Sequence, residues 1–152
     1  MSNEQQAAPV AAQAPQFNER QWNQEQYARA LKYCADKGLR VGRIDQRSSR
    51  VLPPFVALWQ VSVLDYSDKL WILTGDLPAD HVTTKAAPTA RDALRHFSLN
   101  WQMKAENLVA DLNRGRVSLG SPEGQMTYAR MLVSRAQSMY GMAEDESLWQ
   151  KA

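Results

Sequence analysis

Cysteine occurs once in this chain of 152 residues, at position 34, and histidine only at 81 and 96. A lone cysteine excludes an internal disulfide framework and a cluster of thiolate metal ligands. It makes a reducing compartment the simplest setting, so the expected location is cytoplasmic. No HExxH, CxxC, phosphate-binding glycine loop or Ser-His-Asp arrangement occurs. Nothing approaches the roughly 18 consecutive apolar residues of a membrane-spanning helix. The opening "MSNEQQAAPVAAQAPQ" lacks the basic and long apolar regions of a secretory leader. An excess of one sign of charge is also lacking: the net value is +2, too weak to imply a nucleic-acid or membrane partner by itself.

What is present fits one domain. Residues 1–16 are rich in Ala, Gln and Pro without periodicity and are expected to form a disordered tail. Residues 17–152 are expected to form a single α+β domain, because a chain of this length can bury an adequate core. In "FNERQWNQEQYARALKYCADKG", Asn18 and Gln21 form a capping box and Gly38 a stop. Glu25, Arg29, Lys32 and Asp36 make a polar stripe with two i,i+4 ion pairs. The rest of that helix, from Trp22 and Tyr33 to Tyr27, Leu31 and Cys34, is a wide apolar surface for two neighbours or a partner.

"LRVGRIDQRSSR" reads as an Arg-rich connection. Beyond Pro53-Pro54, Phe55, Ala57, Trp59, Val61 and Val63 alternate with polar Gln60 and Ser62, the period of a half-buried strand. "DYSD" turns the chain into a returning strand, "KLWILTG", giving a β-hairpin. "HVTT" and "RVGRI" each offer a third antiparallel strand. Pro88 and the Thr89–Asp92 box then open a long amphipathic helix ending at Gly115. Its stripe is Ala90, Leu94, Phe97, Trp101, Leu108 and Leu112. Ser121-Pro122 opens a second long helix, expected to bury Ala129, Leu132, Val133, Ala136, Met139 and Tyr140. A short C-terminal helix docks Leu148 and Trp149.

Four groups of residues bear chemistry. Asp76, Asp80 and His81 combine the carboxylates and imidazole that general-base or metal chemistry uses. Gly75-Asp76-Leu77-Pro78 also meets the needs of a tight turn, and Asp92 can pair with His96 one helical turn on. Lys85 and Arg91 flank the helix start after Thr89, where an anion or a partner's carboxylate could bind. Arg40, Arg43, Arg47 and Arg50 give a basic surface suited to RNA or an acidic protein. Trp22 and Trp149, near the ends of the folded part, are candidate interface aromatics.

The segment "LWILTGDLPADHVTTKAAPTARDALRHFSLNWQMKAENL" resembles a small, mainly proteobacterial family catalogued as a domain of unknown function. The likeness rests on Trp71, Gly75-Asp76-Leu77-Pro78, Asp80-His81, Ala90-Arg91, Ala93-Leu94, His96-Phe97, Trp101-Gln102 and Lys104-Ala105. It continues into "SRAQSMYGMAEDESLWQ" and covers about residues 20–150. The resemblance implies a single cytoplasmic bacterial domain and carries no catalytic residue, ligand or partner with it. No cofactor, catalytic residue or metal ligand is assigned. The expected function is a non-enzymatic protein-interaction or regulatory module with a protein partner or self-association. The alternatives are a nucleic-acid- or ribosome-associated factor using residues 37–50, and a small hydrolase or metal protein using Asp76, Asp80 and His81.

Overall fold

A computed structural model describes residues 16–150. The expected disordered tail therefore lies, apart from Gln16, outside the described residues. The order is α1 (Glu19–Asp36), β1 (Val41–Leu52), β2 (Val56–Val63), β3 (Leu70–Gly75), β4 (Asp80–Thr83), α2 (Ala90–Asn113), α3 (Pro122–Glu144) and a 3-10 turn, Glu146–Leu148. The fold is α+β. The four strands form one antiparallel meander in chain order.

Both places that offered a third strand are strands. The Arg-rich segment is correspondingly no mere connection: Val41 pairs with Val63 and Leu52 with Val56, with irregularities between Val41 and Arg43 and between Asp45 and Arg50. Its few apolar residues concealed it. A two-stranded hairpin is marginal in water, and β1 and β4 extend it to a sheet that can carry helices.

The central strands are buried on both faces, where alternation suggested one. Val56 and Leu58 of β2, with Trp71 and Leu73 of β3, pack against α2 and α3. Ala57, Trp59 and Val61, with Leu70 and Ile72, pack against Ala30 and Cys34 of α1. Gln60 is buried too, so its polarity does not mark a solvent face. Phe55 precedes β2 and is exposed. The wide apolar side of α1 is thus largely occupied by the sheet, leaving Tyr27 and Leu31 partly outside.

Asn18, Thr89 and Ser121 cap the three helices by accepting from Gln21, Asp92 and Gly124 amides at 3.0, 3.0 and 2.9 Å. These bonds satisfy donors that a helix start otherwise leaves open. Two buried indoles are similarly bonded. Trp59 donates to Thr74 Oγ1 at 3.1 Å and Trp71 to the Ala87 carbonyl at 2.6 Å.

Gln125, fully buried at the start of α3, fixes the antiparallel α2–α3 hairpin. Its Nε2 donates to the Leu108 carbonyl at 2.9 Å, and its Oε1 accepts from the Ser118 amide at 2.7 Å. Gln125→Leu would leave the Ser118 amide unpaired and remove the interhelical bond to the Leu108 carbonyl. It is expected to lower stability by about 1–3 kcal/mol, read as a lower urea midpoint with an unchanged slope.

Candidate functional site

Gly75 ends β3 with φ at +138°. A Cβ there would collide with the Phe55 carbonyl and come within 2.8 Å of Val56 Cα, so the turn is closed by backbone proximity. The Asp76 amide donates to the Phe55 carbonyl at 3.0 Å. Two arginines hold the carbonyls that follow. Arg29 of α1 donates to Gly75 O at 2.5 Å and Leu77 O at 3.2 Å. Arg135 of α3 donates to Asp76 O at 2.7 Å and lies 3.6 Å from the Asp76 carboxylate. The turn is therefore tied to both helical layers. Of the two ion pairs expected along α1, Lys32–Asp36 forms at 2.9 Å, whereas Arg29 faces the turn instead of Glu25.

Alternation along β4 separates the other two residues. Asp80 stands opposite Leu73, on the α2–α3 face, and His81 opposite Ile72, on the α1 face. Asp80 accepts from the His81 amide at 2.8 Å and from Trp101 Nε1 at 2.9 Å. His81 Nδ1 shares a 2.7 Å hydrogen bond with the Tyr33 hydroxyl. Burial, and then the negative charge of Asp80, push Tyr33 up to about 12, so it stays protonated through the neutral range.

Beyond this edge strand, Tyr33, Lys37, Asp80, Trp101, Lys104 and Tyr128 surround a recess of about 260 Å³. Lys37 lies over Tyr33 at 5.6 Å and Lys104 over Tyr128 at 5.8 Å. The Asp80 carboxylate is thus at the recess, His81 on the α1 face and Asp76 in the turn beside Arg135 of α3. Among the described residues, no three His, Cys, Asp or Glu side chains gather as a metal site. Cys34 is buried, and burial pushes its thiol up, away from the reactive thiolate.

The remaining candidates are distributed over the surface. Lys85 is exposed. Arg91 donates to the Ala143 carbonyl at 2.6 Å and to Glu146 at 2.8 Å, joining the start of α2 to the end of α3. Asp92 meets Arg95 at 3.4 Å, while His96 bonds Asn100 at 2.7 Å, so the expected Asp92–His96 pair is replaced. Arg40 pairs with Asp65, and Arg50 donates to the Leu148 carbonyl beneath Trp149. Arg43 and Arg47 are exposed on β1. Trp22 packs into the α1-side core and Trp149 against the opposite core, each half-buried.

Sequence reasoning missed an open apolar groove of about 520 Å³ on the outer side of the α2–α3 hairpin. Ala105, Val109 and Ala110 line one wall, Met126, Ala129 and Val133 the other, and Glu106 and Arg130 stand at its margins. Small Ala105 and Ala129 leave the depression between longer side chains. Val133 and Tyr140, expected in the core, are 36% and 55% exposed. Their seven-residue spacing, begun at Met126, was the available signal of a second stripe beside the buried one.

The Arg91–Glu146 latch generates a pH signature. Hydrogen bonding to Arg91, followed by its charge, holds Glu146 below the usual carboxylate range. A depressed folded value means that the contribution is present above the unfolded pKa and lost as pH falls through the folded one. Glu146→Gln is expected to have a lower urea midpoint than the parent at pH 7. The gap should close in acid, where the parent's Glu146 is also neutral.

No curated protein matches this chain, and no solved structure matches it. A family model described as Domain of unknown function (DUF4826) matches residues 16–149. That span includes every element of the fold, and the chain belongs to this family.

Proposed function

We propose that this domain is a non-enzymatic protein-interaction or regulatory module whose working surface is the outer side of the α2–α3 hairpin. The groove supports this reading. It is apolar and open, and the same two helices also expose Leu99, Met103 and Tyr140. Clustered apolar exposure beside charged rims is characteristic of association surfaces.

The chemistry around the β3–β4 turn favours a structural account. Arg29 and Arg135 bind its carbonyls, Asp80 bonds the His81 amide and Trp101, and His81 bonds Tyr33. Two of the four arginines of the basic segment, Arg40 and Arg50, also have partners within the chain. This reduces the charge available to a nucleic acid.

A photoreactive residue at Val133, introduced into the full chain in its native cell, tests the reading directly. The expected result is a discrete protein adduct from position 133, with none from Arg47 on β1. Absence of an adduct at 133 in folded protein would contradict it.

A further inference from the structure

We infer that the occupant of this groove is a second copy of the same chain, packed through a two-fold axis into a four-helix arrangement. The inference rests on the interaction reading above and specifies its partner.

Helix direction and height provide the first support. Ser98 Oγ donates to the Ala136 carbonyl at 2.8 Å, and Gln125 Nε2 to the Leu108 carbonyl at 2.9 Å. Rising residue numbers on α2 therefore meet falling numbers on α3. By this register Glu106 and Arg130 lie within about one helical turn along the axis. A two-fold axis running along the groove sets α2 of one copy above α3 of the other. It thereby sets Glu106 of each copy beside Arg130 of the other. Neither side chain has an ion-pair partner among the described residues. One operation answers both charges and closes the assembly at two copies.

The apolar stripes fit the same operation. Val133 lines the groove, and Leu99 and Met103 on α2 and Tyr140 on α3 are further exposed apolar side chains of the same hairpin. Stacking the hairpins makes these side chains an inner layer, with each helix antiparallel to its new neighbour. A helix of 24 residues is about 36 Å long, and two side by side are about 20 Å wide. Such a face offers on the order of 700 Å² per copy, near the roughly 800 Å² per partner of a standard stable interface. A partner of different sequence would need its own complementary pattern, whereas a second copy already contains it.

Sedimentation equilibrium of the full chain, across a wide micromolar range, provides the test. The parent should fit a monomer–dimer equilibrium. Glu106→Arg and Arg130→Glu should each weaken association by at least about tenfold, because each places like charges across the interface. The Glu106→Arg, Arg130→Glu double variant should recover most of the loss, which a folding defect would not do. A parent that stays monomeric throughout overturns the inference, as does a dimer insensitive to both single reversals. If the parent is monomeric but position 133 crosslinks to a different protein, the second copy is ruled out while the interaction reading survives. A monomer with no adduct overturns both.

Discussion

Burial of the β2–β3 pair on both faces is the constraint from which the rest of the molecule follows. Val56 and Leu58 beside Trp71 and Leu73 require cover on one side, and Ala57, Trp59 and Val61 beside Leu70 and Ile72 require it on the other. Fully burying a large apolar side chain contributes about 1.5–3 kcal/mol. A sheet left open on either face would forgo several such contributions. One helix suffices against the α1 face, where Ala30 and Cys34 permit close approach. The other face takes two helices, and their length leaves an outer surface with no neighbour among the described residues.

That layered arrangement explains why conspicuous polar residues gather at the β3–β4 turn. A turn between a doubly buried strand and an edge strand has backbone carbonyls near both helical layers. Arg29 reaches it from α1 and Arg135 from α3, each with a charge-assisted bond to the backbone. Asp80 bonds the edge amide of His81 and the indole of Trp101, joining β4 to α2. Arg91 and Arg50 make comparable ties at the C-terminal end. Much of the arginine chemistry that suggests a ligand site when read linearly thus holds layers together.

The helices and their caps were legible because their signals are local. Asn18, Thr89 and Ser121 occupy cap positions, and periodicity selected Leu94, Phe97 and Trp101 as core residues. The turn around Gly75 was legible as well, although the backbone approach that requires glycine comes from β2. Strand β1 was less visible: its polar face and Arg content resemble a loop, and pairing with β2 defines it. The second burial face of β2 was hidden because Gln60 and Ser62 suggested solvent. On α3, the core stripe and the Met126–Val133–Tyr140 stripe adjoin, and a helical projection cannot separate them without knowing what covers each.

Native-state hydrogen exchange tests the two-sided core most directly. The account predicts that amides of Leu58, Trp59, Val61, Trp71 and Ile72 exchange only through global opening, while outer-edge amides of β1 and β4 exchange through smaller openings. If the β2–β3 amides instead exchange through a low-energy local opening that leaves the helices protected, the sheet core is not the element on which the fold depends.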